Sequence, residues 1–121
     1  WQDIPDKYQD RPFHAHNRLI KCSALNNEER RETAREIFKR MEQSSAQVSF
    51  IMPNLGIEEW DKPGEPAYDP DGLESFLDEV RIINKNNVIY HEINAHINDQ
   101  AFADKALEIL DNWIEKGIVS K

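Results

Sequence analysis

Six consecutive residues, Asn94-Ala95-His96-Ile97-Asn98-Asp99, bring together an imidazole, two carboxamides and a carboxylate, the groups used in proton transfer and anion capture. His96 could act as acid or base, with Asp99 orienting it or holding a metal. A helix starting after Asp99 would offer backbone N–H groups to an anion. The plainer alternative is that Asp99 and Asn98 cap that helix and His96 orders the loop. A second candidate is Pro53-Asn54-Leu55-Gly56, where glycine permits close backbone approach to a phosphate. It lacks the full glycine pattern of a P-loop or a dinucleotide fingerprint, and a turn explains it more simply. His14 and His16, two apart, would share one side of an extended segment and could form half a metal site with His96 or Asp99, but four ligands at a recognised spacing are not visible. The carboxylates Glu58, Glu59, Asp61, Glu65, Asp69 and Asp71 are scattered through a proline-rich stretch and read as solvated. His91 and Glu92 lie within a strand-like run and read as an edge or subunit contact. Nucleophilic catalysis has little support: Cys22 falls in an apolar strand, where a thiol is inert, and no Gly-x-Ser-x-Gly elbow occurs.

The elements that must position these groups follow from periodicity. Residues 18–23 and 48–52 are short apolar runs of strand length, the second stopped by Pro53, and residues 88–93 form a third. Asn26 or Asn27 offers a cap to a helix whose apolar stripe is Ala34, Ile37, Phe38 and Met41. Asp69-Pro70-Asp71-Gly72 turns the chain into a second helix with Leu73, Phe76, Leu77, Val80 and Ile83 inward. Asp99 caps a third, which buries Phe102, Ala106, Ile109, Leu110, Trp113 and Ile114 and stops at Gly117.

Strand, helix, strand, helix, strand, helix predicts an α/β fold: a three-layer αβα arrangement on a short parallel sheet, a Rossmann-like or flavodoxin-like half domain. In such a sheet the loops after the strands, residues 23–26, 53–61 and 94–99, converge at one edge, where ligands bind in open α/β folds. The long connection 56–70 would cover that edge, with Asp61 and Tyr68 as a lid. Residues 1–17 read as an irregular segment ahead of a single α/β domain over 18–121.

The totals narrow the function. The chain has 121 residues and a net charge of -8, with 23 acidic against 15 basic side chains, a balance that opposes binding to nucleic-acid phosphates or anionic lipid. One cysteine allows no internal disulfide and suits a reducing, cytoplasmic setting. No apolar run approaches bilayer length and no charged-then-apolar leader opens the sequence. The polar, turn-rich start at Trp1 reads like the interior of a longer polypeptide.

Four phrases taken jointly carry a family resemblance: Arg11-Pro12-Phe13-His14-Ala15-His16-Asn17, Met52-Pro53-Asn54-Leu55-Gly56, Asp61-Lys62-Pro63-Gly64-Glu65-Pro66-Ala67-Tyr68-Asp69-Pro70, and residues 94–99 continuing Gln100-Ala101-Phe102-Ala103. In order and spacing, from about Arg11 to the C-terminus, the chain resembles the family of the tomato mosaic virus resistance protein, often labelled the Tm-like ATP-binding domain family. The resemblance implies the last part of a longer two-lobed α/β protein, with ATP and Mg²⁺ association and self-assembly in the whole, and the glycine-rich nucleotide segments upstream. In the plant member it implies binding to a viral replication protein. At Asn94 the family commonly shows Asp, so a charged ligand or base is absent here.

Together these readings give a ligand-binding module with Asn54, Gly56, Asp61, Tyr68, His96, Asn98 and Asp99 in one crevice, completed by a missing N-terminal lobe or by another subunit of a homo-oligomer. The rivals are an enzyme acting on a small phosphorylated or carboxylated metabolite, with His96 as acid or base, and a structural dimerisation piece left by unpaired sheet edges.

Overall fold

The computed structural model describes residues 5–120. After a short 3-10 helix, Asp6–Tyr8, come strands β1 (Phe13–Ala15) and β2 (Lys21–Ser23), helix α1 (Asn27–Met41), strand β3 (Val48–Pro53), helix α2 (Pro70–Ile82), strand β4 (Val88–Ile93) and helix α3 (Gln100–Glu115). The α/β class holds, but the sheet is narrower than periodicity predicts. β3 and β4 pair in parallel, from Val48 opposite Val88 to Pro53 opposite Ile93. The run at 18–23 does not join them. It pairs antiparallel with β1, Phe13 opposite Ser23 and Ala15 opposite Lys21, as a separate hairpin.

The reason is local. The Asn17 carboxamide oxygen accepts hydrogen bonds from the N–H groups of Leu19 (2.8 Å) and Ile20 (3.0 Å), so the first half of the apolar run is spent in a turn. Leu19 is consequently 94% exposed. The boundary expected at residue 18 falls inside this turn, and the segment ahead of it contains β1 rather than being irregular throughout. Positions 1–4 of that segment lie outside the described residues. Cys22 departs from expectation for the same reason: on a hairpin that no layer covers, its thiol is exposed.

The helix starts follow their signals. Asn26 caps α1 through a reciprocal box, its side chain accepting from the Glu29 N–H at 2.9 Å while the Glu29 carboxylate accepts from the Asn26 N–H at 3.0 Å. Asp69 accepts from the Gly72 N–H at 3.0 Å, and Pro70 fills the first position of α2, where no N–H is needed. Alternation in β3 and β4 then turns Val48, Phe50, Met52, Val88 and Tyr90 toward one face. There they meet Ala34 and Phe38 of α1 and Leu73, Phe76, Leu77 and Val80 of α2. The rings of Phe38 and Phe50 cross edge-on at 5.0 Å between centroids. α1 and α2 are also joined by charge: Arg35 grips the Glu79 carboxylate with two hydrogen bonds of 2.9 and 3.0 Å, and Arg30 reaches Asp69 at 2.9 Å.

α3 departs from its expected burial. It touches β3, yet none of its residues is buried, and Leu110, placed on the inner stripe by spacing, is 41% exposed. A helix needs about 10 Å of sheet width to bury a full stripe, and two strands spaced about 4.8 Å apart supply half of that. Its C-terminus follows the sequence signal, with Gly117 in the left-handed region at φ +67° and the Ile118 N–H donating to the Trp113 carbonyl at 2.9 Å.

Candidate functional site

The site starts where the β3–β4 ladder runs past its last strand residues. The Asn54 N–H donates to Ile93 O at 3.1 Å, Leu55 N–H to Ala95 O at 3.1 Å, and Ile97 N–H to Gly56 O at 3.0 Å. Residues 54–56 and 94–97 are therefore laced together beyond the carboxyl ends of both strands, so the predicted meeting of these two loops is present. The third expected loop, residues 23–26, reaches the same end by another route, carried by the hairpin. Ser23, Ala24 and Leu25 line a cavity there with Ile57, Trp60 and Asp61.

His96 is the pin of this arrangement and is 6% exposed. The Asn98 N–H donates to its Nδ1 at 3.2 Å, which places the imidazole proton on Nε2, and Nε2 donates to Glu58 O at 3.0 Å. Both ring nitrogens are thus engaged by backbone, one on each loop. Asp99 holds the N-cap position of α3, but its carboxylate does not cap the helix. It turns back and accepts from the His96 N–H at 2.8 Å, while its own N–H donates to His96 O at 2.9 Å. The Asn98 side chain donates to Glu59 across the two loops. Gly56 lies against the imidazole at Cδ2 and Nε2, with φ +142°. His96, Asn98, Asp99 and Gly56 are brought together as the sequence suggests, in a structural lock.

Asn54 belongs to a neighbouring cluster. Its Nδ2 donates to Glu92 at 3.3 Å, and Glu92 also receives Arg81 Nη2 at 2.8 Å and the Tyr90 hydroxyl at 2.9 Å. The Arg81 guanidinium first, then the Tyr90 and Asn54 donors, hold the Glu92 carboxyl at about 2, against the counter-effect of burial. Glu92 therefore ties β4 to α2 and is an internal contact of this chain. Burial first, and the hydrogen bond to Glu92 second, raise the Tyr90 hydroxyl well above its ordinary range.

Tyr68 is 46% exposed and does not line the cavity. Asp61 does, and it is the more informative half of the expected lid. It is 4% exposed. Its Oδ2 accepts from the Ile57 N–H at 3.2 Å, whereas Oδ1 is buried and has no hydrogen-bond partner in the protein. Burial pushes this carboxyl up, with the Ile57 amide, the Arg30 charge and the Asp69 amide pulling only partly the other way. The cavity beside it measures about 330 Å³ and is walled by Phe13, Leu25, Ile57, Trp60 and Phe76. The Ser23 Oγ on its wall is likewise buried without a partner. His14 of β1 and His16 just beyond it both set a tilted ring against Trp60, with centroids 4.2 and 5.1 Å away. No cluster of three or more metal-ligating side chains occurs among the described residues.

Sequence reasoning missed this cavity. Its walls come from segments around residues 13, 23, 60 and 76, far apart in sequence, which only the fold brings together.

An α/β unit with its polar loops gathered at the carboxyl ends of a parallel pair is the class that this geometry defines. Within that class, residues 1–114 match the uncharacterised protein family (UPF0261) C-terminal domain, and the chain belongs to that family. It is 44% identical over 121 residues to a UPF0261 protein of Brucella melitensis, covering all of this chain and 29% of that protein. A UPF0261 protein of Clostridium tetani is 24% identical over 116 residues, 95% of this chain and 29% of the relative. More distantly, the ToMV resistance protein Tm-1(GCR237) of Solanum lycopersicum is 27% identical over 114 residues, 93% of this chain and 15% of that protein. The chain thus spans under a third of the length of these relatives. Among the described residues no helix is long and apolar enough to cross a membrane.

Proposed function

We propose that this chain is a ligand-binding module of a larger UPF0261 protein, with its site at the carboxyl ends of β3 and β4. In this reading the ligand enters the cavity beside Asp61. The observation that carries it is the cavity itself, at the carboxyl ends of the strands and walled by Phe13, Leu25, Ile57, Trp60 and Phe76, with the buried Asp61 among its lining residues. The cavity volume, about 330 Å³, is at the small end of ligand sites, which run from about 300 to 1,000 Å³.

The lock of Gly56, His96, Asn98 and Asp99 then positions the floor of the site, and Asn54 steadies its flank. With both imidazole nitrogens satisfied by backbone, His96 serves as a positioning residue, which disfavours the acid–base enzyme reading. ATP with Mg²⁺ enters only through the family resemblance; a triphosphate would face Asp61 and a chain of net charge -8, so a neutral or cationic small molecule fits better. Amide NMR spectra of the chain, recorded against a small-molecule panel that includes Mg²⁺-ATP, test this. Expected are shifts at Ile57, Trp60, Asp61 and Ser23 with neutral or cationic members and none there with Mg²⁺-ATP. A panel that leaves these amides unmoved removes the binding-module reading.

A partner belongs to the same proposal. The parallel pair has two open edges, and Ile89, Leu107 and Leu110 are 45%, 56% and 41% exposed, a state that further strands or a second copy would relieve. We read β3 and β4 as part of a wider, Rossmann-like or flavodoxin-like sheet completed by the rest of the protein, with self-association through the same side. Light scattering of the isolated chain at high concentration should give a mass above the monomer, and a strict monomer would count against self-association.

A further inference from the structure

The charge of the ligand follows from the cavity lining, an inference that deepens the binding-module proposal and rests on it. The cavity is a gap between the β1–β2 hairpin and the body of the fold. Phe13 lines it from the hairpin, Leu25 from the segment just after, and Ile57, Trp60 and Phe76 from the body. Such walls favour apolar matter, which gains by leaving water. The polar side chains on the lining are sealed or already engaged. Asp61 Oδ1 and Ser23 Oγ lack a hydrogen-bond partner but are closed off from solvent, so neither offers a bare acceptor to an incoming molecule, and Asp61 Oδ2 takes the Ile57 N–H. Arg30 donates to Asp69 at 2.9 Å and to Leu25 O at 3.0 Å, and the Thr33 hydroxyl donates to Glu29 O at 2.7 Å. His14 and Trp60 set their rings against each other, with centroids 4.2 Å apart. The charges on the lining are of both signs, Arg30 against Glu58 and Asp61, so neither a cation nor an anion meets a wall of one opposite charge.

We infer that the cavity takes an uncharged, mainly apolar small molecule, held by contact with Phe13, Trp60 and Phe76. An ionic head would give up its water without gaining a dedicated partner, a cost that a neutral molecule of the same shape does not carry. The phosphorylated or carboxylated metabolite of the enzyme reading is disfavoured on the same ground.

Three probes with one ring system and different side-chain charge test this on the unaltered chain: 3-ethylindole, tryptamine and indole-3-acetate, titrated while the Ile57, Trp60 and Phe76 amides are followed by NMR. The neutral 3-ethylindole should bind about tenfold tighter than either ion. Phe13→Ala should cut its affinity about fivefold, whereas Leu19→Ala, on the same hairpin but 94% exposed and off the lining, should leave it unchanged. Tryptamine or indole-3-acetate binding as tightly as 3-ethylindole, or more tightly, overturns the neutral assignment and leaves the ligand site standing. If none of the three moves the cavity amides, the site falls with it. The comparison of charges needs no variant, so a misfolded Phe13→Ala would not shield the proposal.

Discussion

Gly56→Ala should lower the stability of the chain by about 3–5 kcal/mol, the largest single-site loss expected outside the core. Two independent costs add here. The backbone sits at φ +142°, a region that residues with a Cβ rarely adopt. An added Cβ would also strike the His96 ring and lie 2.6 Å from the Asp61 carbonyl oxygen, and neither can retreat. The ring is held at both nitrogens, and the carbonyl is backbone. Since a small domain holds only about 5–15 kcal/mol in total, the variant should unfold at a much lower urea midpoint. Gly64→Ala provides the control, because its φ of +92° carries the backbone cost but a Cβ there meets nothing within 4 Å. Urea unfolding of both variants checks this, and equal losses would show that the packing against His96 has no energetic weight.

The second large effect concerns Glu92. Its carboxyl sits at about 2 in the folded chain, against 4.5 for the ordinary group, because Arg81 stands beside it. The folded state therefore resists protonation more than the unfolded state does. Stability from this carboxylate is present in full above about pH 5 and is lost as pH falls from about 4.5 toward 2. The unscreened value of such a shift is about 3 kcal/mol. With the Arg81 and Glu92 side chains 36% and 26% exposed, solvent screening reduces it to about 1.5 kcal/mol. Glu92→Gln should thus cost about 1.5 kcal/mol at pH 7, and the gap to the unaltered chain should close on acidification. Asp61 has the opposite sign: its raised carboxyl takes up a proton more readily when folded, so acid relieves a penalty there. Comparing the Glu92 variant with the parent at each pH separates the two. A gap that stays constant from pH 7 to 2.5 would mean that the Arg81 pairing carries none of this stability.

What the sequence disclosed, and what it hid, divides along the range of the interactions. Helix ends were legible because their causes are local: Asn26 with Glu29, Asp69 with Pro70, and Gly117 each act within four residues. The contact of Gly56 with His96 was legible through the parallel pairing of β3 with β4, which sets both loops at one end. Pairing of the run at 18–23 was not, since its apolar composition fits a buried strand, while the Asn17 side chain decides otherwise by closing a turn. The exposure of α3 followed from that miss, because the narrower sheet leaves its stripe without a full bed. Asp61 could be singled out as a loop carboxylate, yet its burial depends on Trp60, Phe76 and the hairpin, whose meeting no spacing rule encodes.

The central claim is that a small molecule occupies the cavity beside Asp61. Intermolecular NOEs from a bound member of the small-molecule panel test it most directly. The account predicts contacts from the bound molecule to the Trp60 and Phe76 side chains that line the cavity. Contacts confined to α3 or to the exposed face of the β3–β4 pair would contradict it.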